Sequence, residues 1–304
     1  MSIWVCGEVL IDLIPVAPGS TERAPHVGGG PANTAKALAR LGHDVQFIDG
    51  ISTDDYGVKA RAELLTDEVK LDLALTSDKP TCLAIVTLAE DRKASYEFKI
   101  DGTATFDFGL NWLPDPSVHK PSVLHIGTLV TIVEPGASVL YDWALQVAEF
   151  APIVFDPNIR PSVMGDRDRY QAAVEKWAAI SSVIKVSDDD LAWLYPDQPF
   201  EEIAKRWVAD GAALVVVTRG VNGSIGYTEN SREEAHGVKI DLADTVGAGD
   251  TVGAIIIEAM IQNGILSLQG DGLKKVLDRA AAAAAITCSR AGAQPPYKHE
   301  LAKL

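Results

Sequence analysis

Two short glycine clusters, each running straight into a helix-forming stretch, hold the residues best suited to chemistry. One is D-T-V-G-A-G-D, residues 244–250, followed by an apolar run, Val252 to Ile261, whose one charge is Glu258. Gly247, Ala248 and Gly249 leave the backbone bare, so consecutive N–H groups can converge on one anion, helped by the positive end of the following helix. Asp250 is then either a capping aspartate or a general base for a hydroxyl aligned on a phosphoryl group. Burial raises the pKa of such a carboxyl and the helix dipole lowers it. No lysine–serine pair follows the glycines, so this is not a Walker A loop.

The other cluster is H-V-G-G-G-P-A-N, residues 26–33. Pro31 suits a first helical position, where its missing N–H would have no partner anyway. Ala35, Leu38 and Leu41 are expected to face the core and Lys36 and Arg40 the solvent, with Gly42 ending the helix. Asn33 offers donors and an acceptor to a polyhydroxylated ligand, or else caps its own helix. Gly28 and Gly30 spell G-x-G, but the preceding A-P-G-S-T-E-R-A-P-H does not read as a strand, so a dinucleotide-binding fingerprint is not expected from this context.

These clusters need a rigid frame. β-rich runs at 3–15, 44–52, 122–129, 152–158, 182–187 and 213–220 alternate with helical patterns at 31–42, 54–68, 136–151 and 199–211. Continuous apolar strands alternating with helices predict an α/β fold with a parallel sheet covered on both faces. Residues 79–106 break the rhythm: two runs joined by E-D-R-K predict a β-hairpin, either a lid or dimer contact or a decorated sheet edge. Six alanines, 280–285, predict a helix whose small face lets another backbone or a flat ligand come close. No linker or repeat divides the chain, so residues 1–304 form one domain.

Composition narrows the function. The formal charge of −15 repels a phosphate backbone, so nucleic acid is not an expected partner, although a local anion site remains open. Cys6, Cys82 and Cys288 are too few and too scattered for a disulfide framework or zinc site, which points to a reducing compartment. His125, ending an apolar run, suits a cleft or core position better than a metal. The first 15 residues have no basic leader, and no segment approaches the roughly 20 apolar residues of a membrane span, so a cytoplasmic protein with no membrane contact is expected.

Taken together, G-G-G-P-A-N-T-A-K-A-L-A-R-L-G and D-T-V-G-A-G-D resemble the two signature regions of the ribokinase-like (pfkB-type) carbohydrate kinases. G-E-V-L-I-D-L-I-P, G-I-S-T-D-D-Y-G, K-V-S-D-D-D-L, V-V-V-T-R-G-V-N-G-S and S-R-A-G-A-Q-P resemble further segments in family order. The resemblance implies a ribokinase-like three-layer α/β/α fold, a mostly parallel central sheet, and a small β lid built from about 12–27 and 79–106. It implies transfer of the ATP γ-phosphoryl group to a sugar hydroxyl. Asp250 would be the base, with Gly247, Ala248 and Gly249 as the anion cradle. Asp12, Gly28, Gly29, Asn33, Phe98 and Arg160 would hold the sugar. Lys185, Ser187, Thr218, Gly220, Gly223, Ala283 and Gly292, with Gly247 and Gly249, would line the nucleotide site. Mg2+ would ride on ATP with Asp190 reaching it through water. Asp244 and the Val246 carbonyl are candidates for a K+ ion. The assembly would be a monomer or a homodimer joined through the lid.

Within the family, F-D-P-N-I-R-P (155–161) with G-E-V-L-I-D-L-I-P resembles bacterial fructokinases and implies D-fructose to fructose 6-phosphate. The same D-P-N-x-R run occurs in 2-keto-3-deoxygluconate kinases, so that activity, or that of another sugar or nucleoside kinase of the family, is the alternative of the same mechanism. A catalytically silent sugar- or nucleotide-binding regulator is the alternative of another class, and the retained Asp250 speaks against it. The chain departs from the pattern at Val252 and Ile255, where relatives carry an aromatic and a small residue. Ser187 and Asp190 replace asparagine and glutamate.

Overall fold

The structure is a computed structural model describing residues 2–17, 19–88 and 94–302. Its strands, in chain order, are β1 (Ile3–Cys6), β2 (Leu10–Pro15), β3 (Arg23–Gly28), β4 (Val45–Ile48), β5 (Gly50–Ser52), β6 (Leu75–Ser77) and β7 (Leu83–Leu88). They continue with β8 (Ala94–Lys99), β9 (Val123–Gly127), β10 (Ile153–Asp156), β11 (Val183–Ser187), β12 (Leu214–Thr218), β13 (Ser224–Tyr227) and β14 (Arg232–Ala235). The central sheet runs β14-β13-β12-β11-β10-β9-β1-β4. It is parallel from β4 to β12 and closes with two antiparallel strands.

Helices cover both faces: α1 (Gly30–Arg40), α2 (Asp55–Thr66), α3 (Pro116–His119), α4 (Gly136–Ala148), α5 (Arg167–Ala178), α6 (Asp188–Leu194), α7 (Phe200–Ala209), α8 (Ala248–Asn263), α9 (Gly270–Cys288) and α10 (Lys298–Leu301). Alternating side chains of each strand feed opposite layers. Ile153 and Phe155 of β10 pack with Trp143 of α4, Trp177 of α5 and Trp207 of α7. Val154 points the other way, into the layer of Leu38 from α1, Ile256 from α8 and Leu277 from α9. This is the predicted three-layer α/β/α arrangement.

The run 3–15 is not one strand. β1 lies in the central sheet, and after Gly7–Val9 the chain enters a second, four-stranded sheet ordered β3-β2-β7-β8. The predicted 79–106 hairpin forms half of that sheet, narrowed to β7 and β8; its E-D-R-K turn lies outside the described residues. Asp12, Ala84 and Phe98 are register partners across it and share one face.

The expected outward facing of Lys36 and Arg40 does not hold. Lys36 is buried and the Arg40 side chain is only 8% exposed, because α2 and its C-cap Asp67 supply carboxylates on that side. Lys36 pairs with Glu63, and Arg40 binds Asp67 through two bonds of 2.7 and 3.1 Å. Arg40 also donates to the Pro295 carbonyl at 2.9 Å and to Gln294 at 3.0 Å, tying α1 to the C-terminal segment. Without such partners, burying these cations would cost several kcal/mol, on the order of the penalty for an unpaired buried ion.

Candidate active site

Ligands of open α/β sheets sit beyond the carboxyl ends of the strands, where the strand order reverses. Here the chain moves from β1 outward to β4, then crosses to β9 on the other side of β1 and continues through β12, so the reversal lies between β1 and β9. The glycine clusters converge there. α1 begins at Gly30 with N-cap Gly29, whose φ is 109°. A Cβ on Gly29 would lie 2.3 Å from the Glu8 carbonyl oxygen, so only glycine allows the link between β1 and β2 to approach α1 this closely.

α8 begins at Ala248 after Gly247 in the left-handed region, φ 80°. A Cβ on Gly247 would lie 2.8 Å from the Ala293 Cβ. No side chain caps α8, so Asp250 is not a capping aspartate, and the first-turn amides keep their positive field for a ligand. Asn33 does not cap α1 either. Its Nδ2 donates instead to Asp250 Oδ2 at 2.9 Å, joining the two helix starts. Asp250 Oδ1 faces Gly30, where a Cβ would stand 3.3 Å away. Burial raises the Asp250 pKa, opposed by Lys185, the Asn33 hydrogen bond and Arg160.

Lys185 lies directly beneath the anion cradle. Its Nζ is 3.1 Å from where a Cβ on Gly249 would be and 2.6 Å from Asp156 Oδ2. Burial lifts Asp156 to about 6 despite the Lys185 charge, with Asp250 adding to the rise. Asp156 Oδ1 is buried without a hydrogen-bond partner. On the sugar side, Arg160 folds onto Asn158, donating to its Oδ1 at 2.8 Å and to the Ile159 carbonyl at 2.9 Å. Asp12 lies in the Arg160 field, yet burial raises it to about 6. A Cβ on Gly28 would strike Asp12 Oδ2. Phe98 stands on the same sheet face as Asp12.

The expected nucleotide residues flank the other side of α8. Thr218 ends β12, and Gly220 and Gly223 form the turn after it with φ of 51° and 84°. Asp244 uses both oxygens on backbone amides, Val246 at 3.1 Å and Gly292 at 2.9 Å, which staples 244–246 to the segment after α9. Ser187 is the N-cap of α6. Asp190 returns a bond to the Ser187 amide and accepts another from Ile159 at 3.0 Å, so both oxygens are engaged. Ala283 departs from expectation: it is fully buried against α8, and the half-buried side of α9 carries Ala281, Ala284 and Cys288. His125 is a core residue, driven to about 3 by burial, and is therefore neutral.

The sequence reasoning passed over Glu8, Thr128, Asn158 and Asp156. Asn158 and Asp156 stood in the quoted D-P-N run, and Glu8 in G-E-V-L-I-D, where it interrupts apolar residues and so signals a buried carboxylate. Thr128 gave no signal.

Comparison with known proteins agrees with this geometry. The sequence profile described as pfkB family carbohydrate kinase matches residues 2–300. The chain belongs to that family. This kinase is 33% identical to a fructokinase of Rhizobium leguminosarum bv. trifolii over 267 residues, 87% of this chain and 81% of the relative. Its fold matches fructokinase from Vibrio cholerae O395, solved with fructose, ADP and a calcium ion, with TM-score 0.87 and 26% identity over 100% of this chain and 98% of the other. Fructokinase from Xylella fastidiosa with bound ATP gives TM-score 0.90 at 23% identity, covering 99% and 97%. The kinase is thus an ATP-dependent carbohydrate kinase with a ribokinase-like fold. Among the described residues no helix is long and apolar enough to cross a membrane.

Proposed function

We propose that the acceptor is D-fructose, phosphorylated on its 6-hydroxyl, with Asp250 as general base. The observation that carries the reading is the Asn33–Asp250 bond. It holds one carboxylate oxygen and leaves the other toward the glycine-lined space at Gly30, where an acceptor hydroxyl is able to approach. The raised affinity of Asp250 for a proton suits a base that must accept one as the oxygen attacks. Gly247, Ala248 and Gly249 stabilise charge on the transferring phosphoryl group, and Lys185 adds its charge from beneath.

Asp12, Gly28, Gly29, Phe98 and Arg160 hold the sugar. Thr218, Gly220, Gly223, Gly292 and Ser187 border the nucleotide. Mg2+ bound to ATP would neutralise phosphate charge. The residues fit it: Asp156 Oδ1 is an orphan acceptor beside the cradle, and Asp190, with both oxygens engaged, is suited to contact through water. The second sheet would close over the sugar and exclude water. A double mutant of the Vibrio cholerae enzyme is solved with potassium, fructose and ADP, which supports a bound K+ ion, for which Asp244 and the Val246 carbonyl are the proposed ligands.

The test is ADP release over a panel of sugars that includes 2-keto-3-deoxygluconate, with Asp250→Asn alongside. Fructose should be preferred, and the variant should lose about 10²–10⁴-fold in kcat while still binding sugar. Preference for the keto acid would transfer the reading to that substrate, and an undiminished rate would remove Asp250 from the mechanism.

A further inference from the structure

We propose that Glu8 is a positioning residue for the acceptor, its buried carboxyl holding Thr128 as the wall of the sugar site beside Gly30 and Asp250. The inference rests on the placement of the acceptor hydroxyl at Asp250. Glu8 follows β1 and Thr128 follows β9, so the pair spans the point at which the strand order reverses. The Thr128 hydroxyl donates to Glu8 Oε1. Thr128 is β-branched yet has φ 59°, a conformation that costs on the order of 1–2 kcal/mol and persists only when its surroundings impose it. Its Cγ2 stands 3.1 Å from where a Cβ on Gly30 would be, and the Asn158 amide 2.9 Å from the same point. Asn158 is also a positive-φ residue, at 38°. Two side chains carried on positive-φ backbone, together with Asp250, thus enclose one glycine.

Glu8 is itself held from both sides. Its carbonyl touches Gly29. The next amide, Val9, donates to Asp49 Oδ2 at 2.9 Å, and the Val9 carbonyl accepts from Thr105 at 3.2 Å. Glu8 Oε2 is buried with no hydrogen-bond partner, which packing alone does not require and a leucine would avoid. The groups that bear on its charge are Asp49 before β5, Arg160 after β10, Tyr170 on α5, Cys6 on β1 and Cys82 before β7. Burial raises Glu8 to about 7, against the Thr128 hydroxyl, nearby amides and Arg160, so the strength of the Thr128 bond changes across neutral pH.

The experiment measures KM and kcat for fructose with ADP release, from pH 6 to 8, on the wild type, Thr128→Val, Glu8→Leu, Glu8→Gln and the Thr128→Val/Glu8→Leu double variant. Thermal melts check folding. Thr128→Val and Glu8→Leu should each raise KM about tenfold while kcat falls less than about threefold, and the double variant should be no worse than either. Glu8→Gln, which keeps an acceptor for Thr128, should restore KM to within about threefold and lose the wild-type change of KM with pH. Unchanged KM in a folded Thr128→Val, or additive losses that fall equally on kcat, would overturn the role of Glu8. A folded wild type inactive on fructose would instead overturn the acceptor reading on which it stands, so the two failures are distinct.

Discussion

Replacing Lys185 by methionine removes the ammonium 2.6 Å from Asp156, in a pair whose side chains are 7% and 4% exposed. In the wild type, burial holds Asp156 at about 6, with Lys185 pulling it down. At pH 6 that carboxyl is about half ionised in the native state and by pH 8 almost wholly so, while the unfolded chain is ionised throughout, so it takes only about 0.4 kcal/mol from wild-type stability over this range. Without Lys185 it keeps its proton in the native state while the unfolded chain still ionises. The native state then binds one proton more than the unfolded state, and stability falls with rising pH by about 1.4 kcal/mol per unit. The deficit of the variant should therefore widen by up to roughly 2.3 kcal/mol from pH 6 to pH 8, reaching on the order of 3 kcal/mol. Adding Asp156→Asn removes the titrating group. It should recover most of the loss and flatten the slope, apart from what Asp250 retains, since Lys185 draws that carboxyl down too. Urea unfolding followed by circular dichroism at pH 6, 7 and 8 measures all three proteins. A deficit independent of pH, or no recovery in the double variant, would refute the buried-charge account.

Three further outcomes are expected. Gly247→Ala forces a side chain into the left-handed region and against Ala293, so stability should drop by about 2 kcal/mol or more in urea melts, with a matching loss of kcat. Arg40→Ala strips buried Asp67 of its two-bond partner and leaves it only Lys36 at 3.9 Å, and a loss of about 3 kcal/mol is expected in the same melts. Glu8 binds its proton more tightly when folded, so its stabilising contribution is full below about 4.5 and lost as pH rises through about 7. Relative to Glu8→Gln, wild-type stability should thus decline by up to roughly 3 kcal/mol across that window, and a constant difference between the two melting temperatures would count against it.

The layered fold was legible because its strands are continuously apolar and its helices periodic, and both follow from local sequence. The break at Gly7–Val9 was not, since residues on either side of it are equally strand-like and only tertiary pairing assigns them to different sheets. Lys36 and Arg40 were misplaced for a related reason: their partners Glu63 and Asp67 sit on another helix, and charge alone argues for solvent. Asn33 stood between capping and ligand binding until Asp250 was seen beside it. Ala283 was a matter of helical phase, which six identical alanines do not reveal. Thr128 is visible only through its backbone angle and its place between Glu8 and Gly30.

The bond between Asn33 and Asp250 joins positions 217 residues apart. During synthesis the residues proposed to hold the sugar, Asp12 through Arg160, emerge well before the carboxylate proposed to take the proton of its hydroxyl. A nascent chain ending near residue 240 carries a nearly whole sugar cradle whose Asn33 amide has no acceptor and whose phosphate loop does not yet exist. Turnover therefore waits on the last fifth of the chain, and an interrupted translation product is without its base by construction.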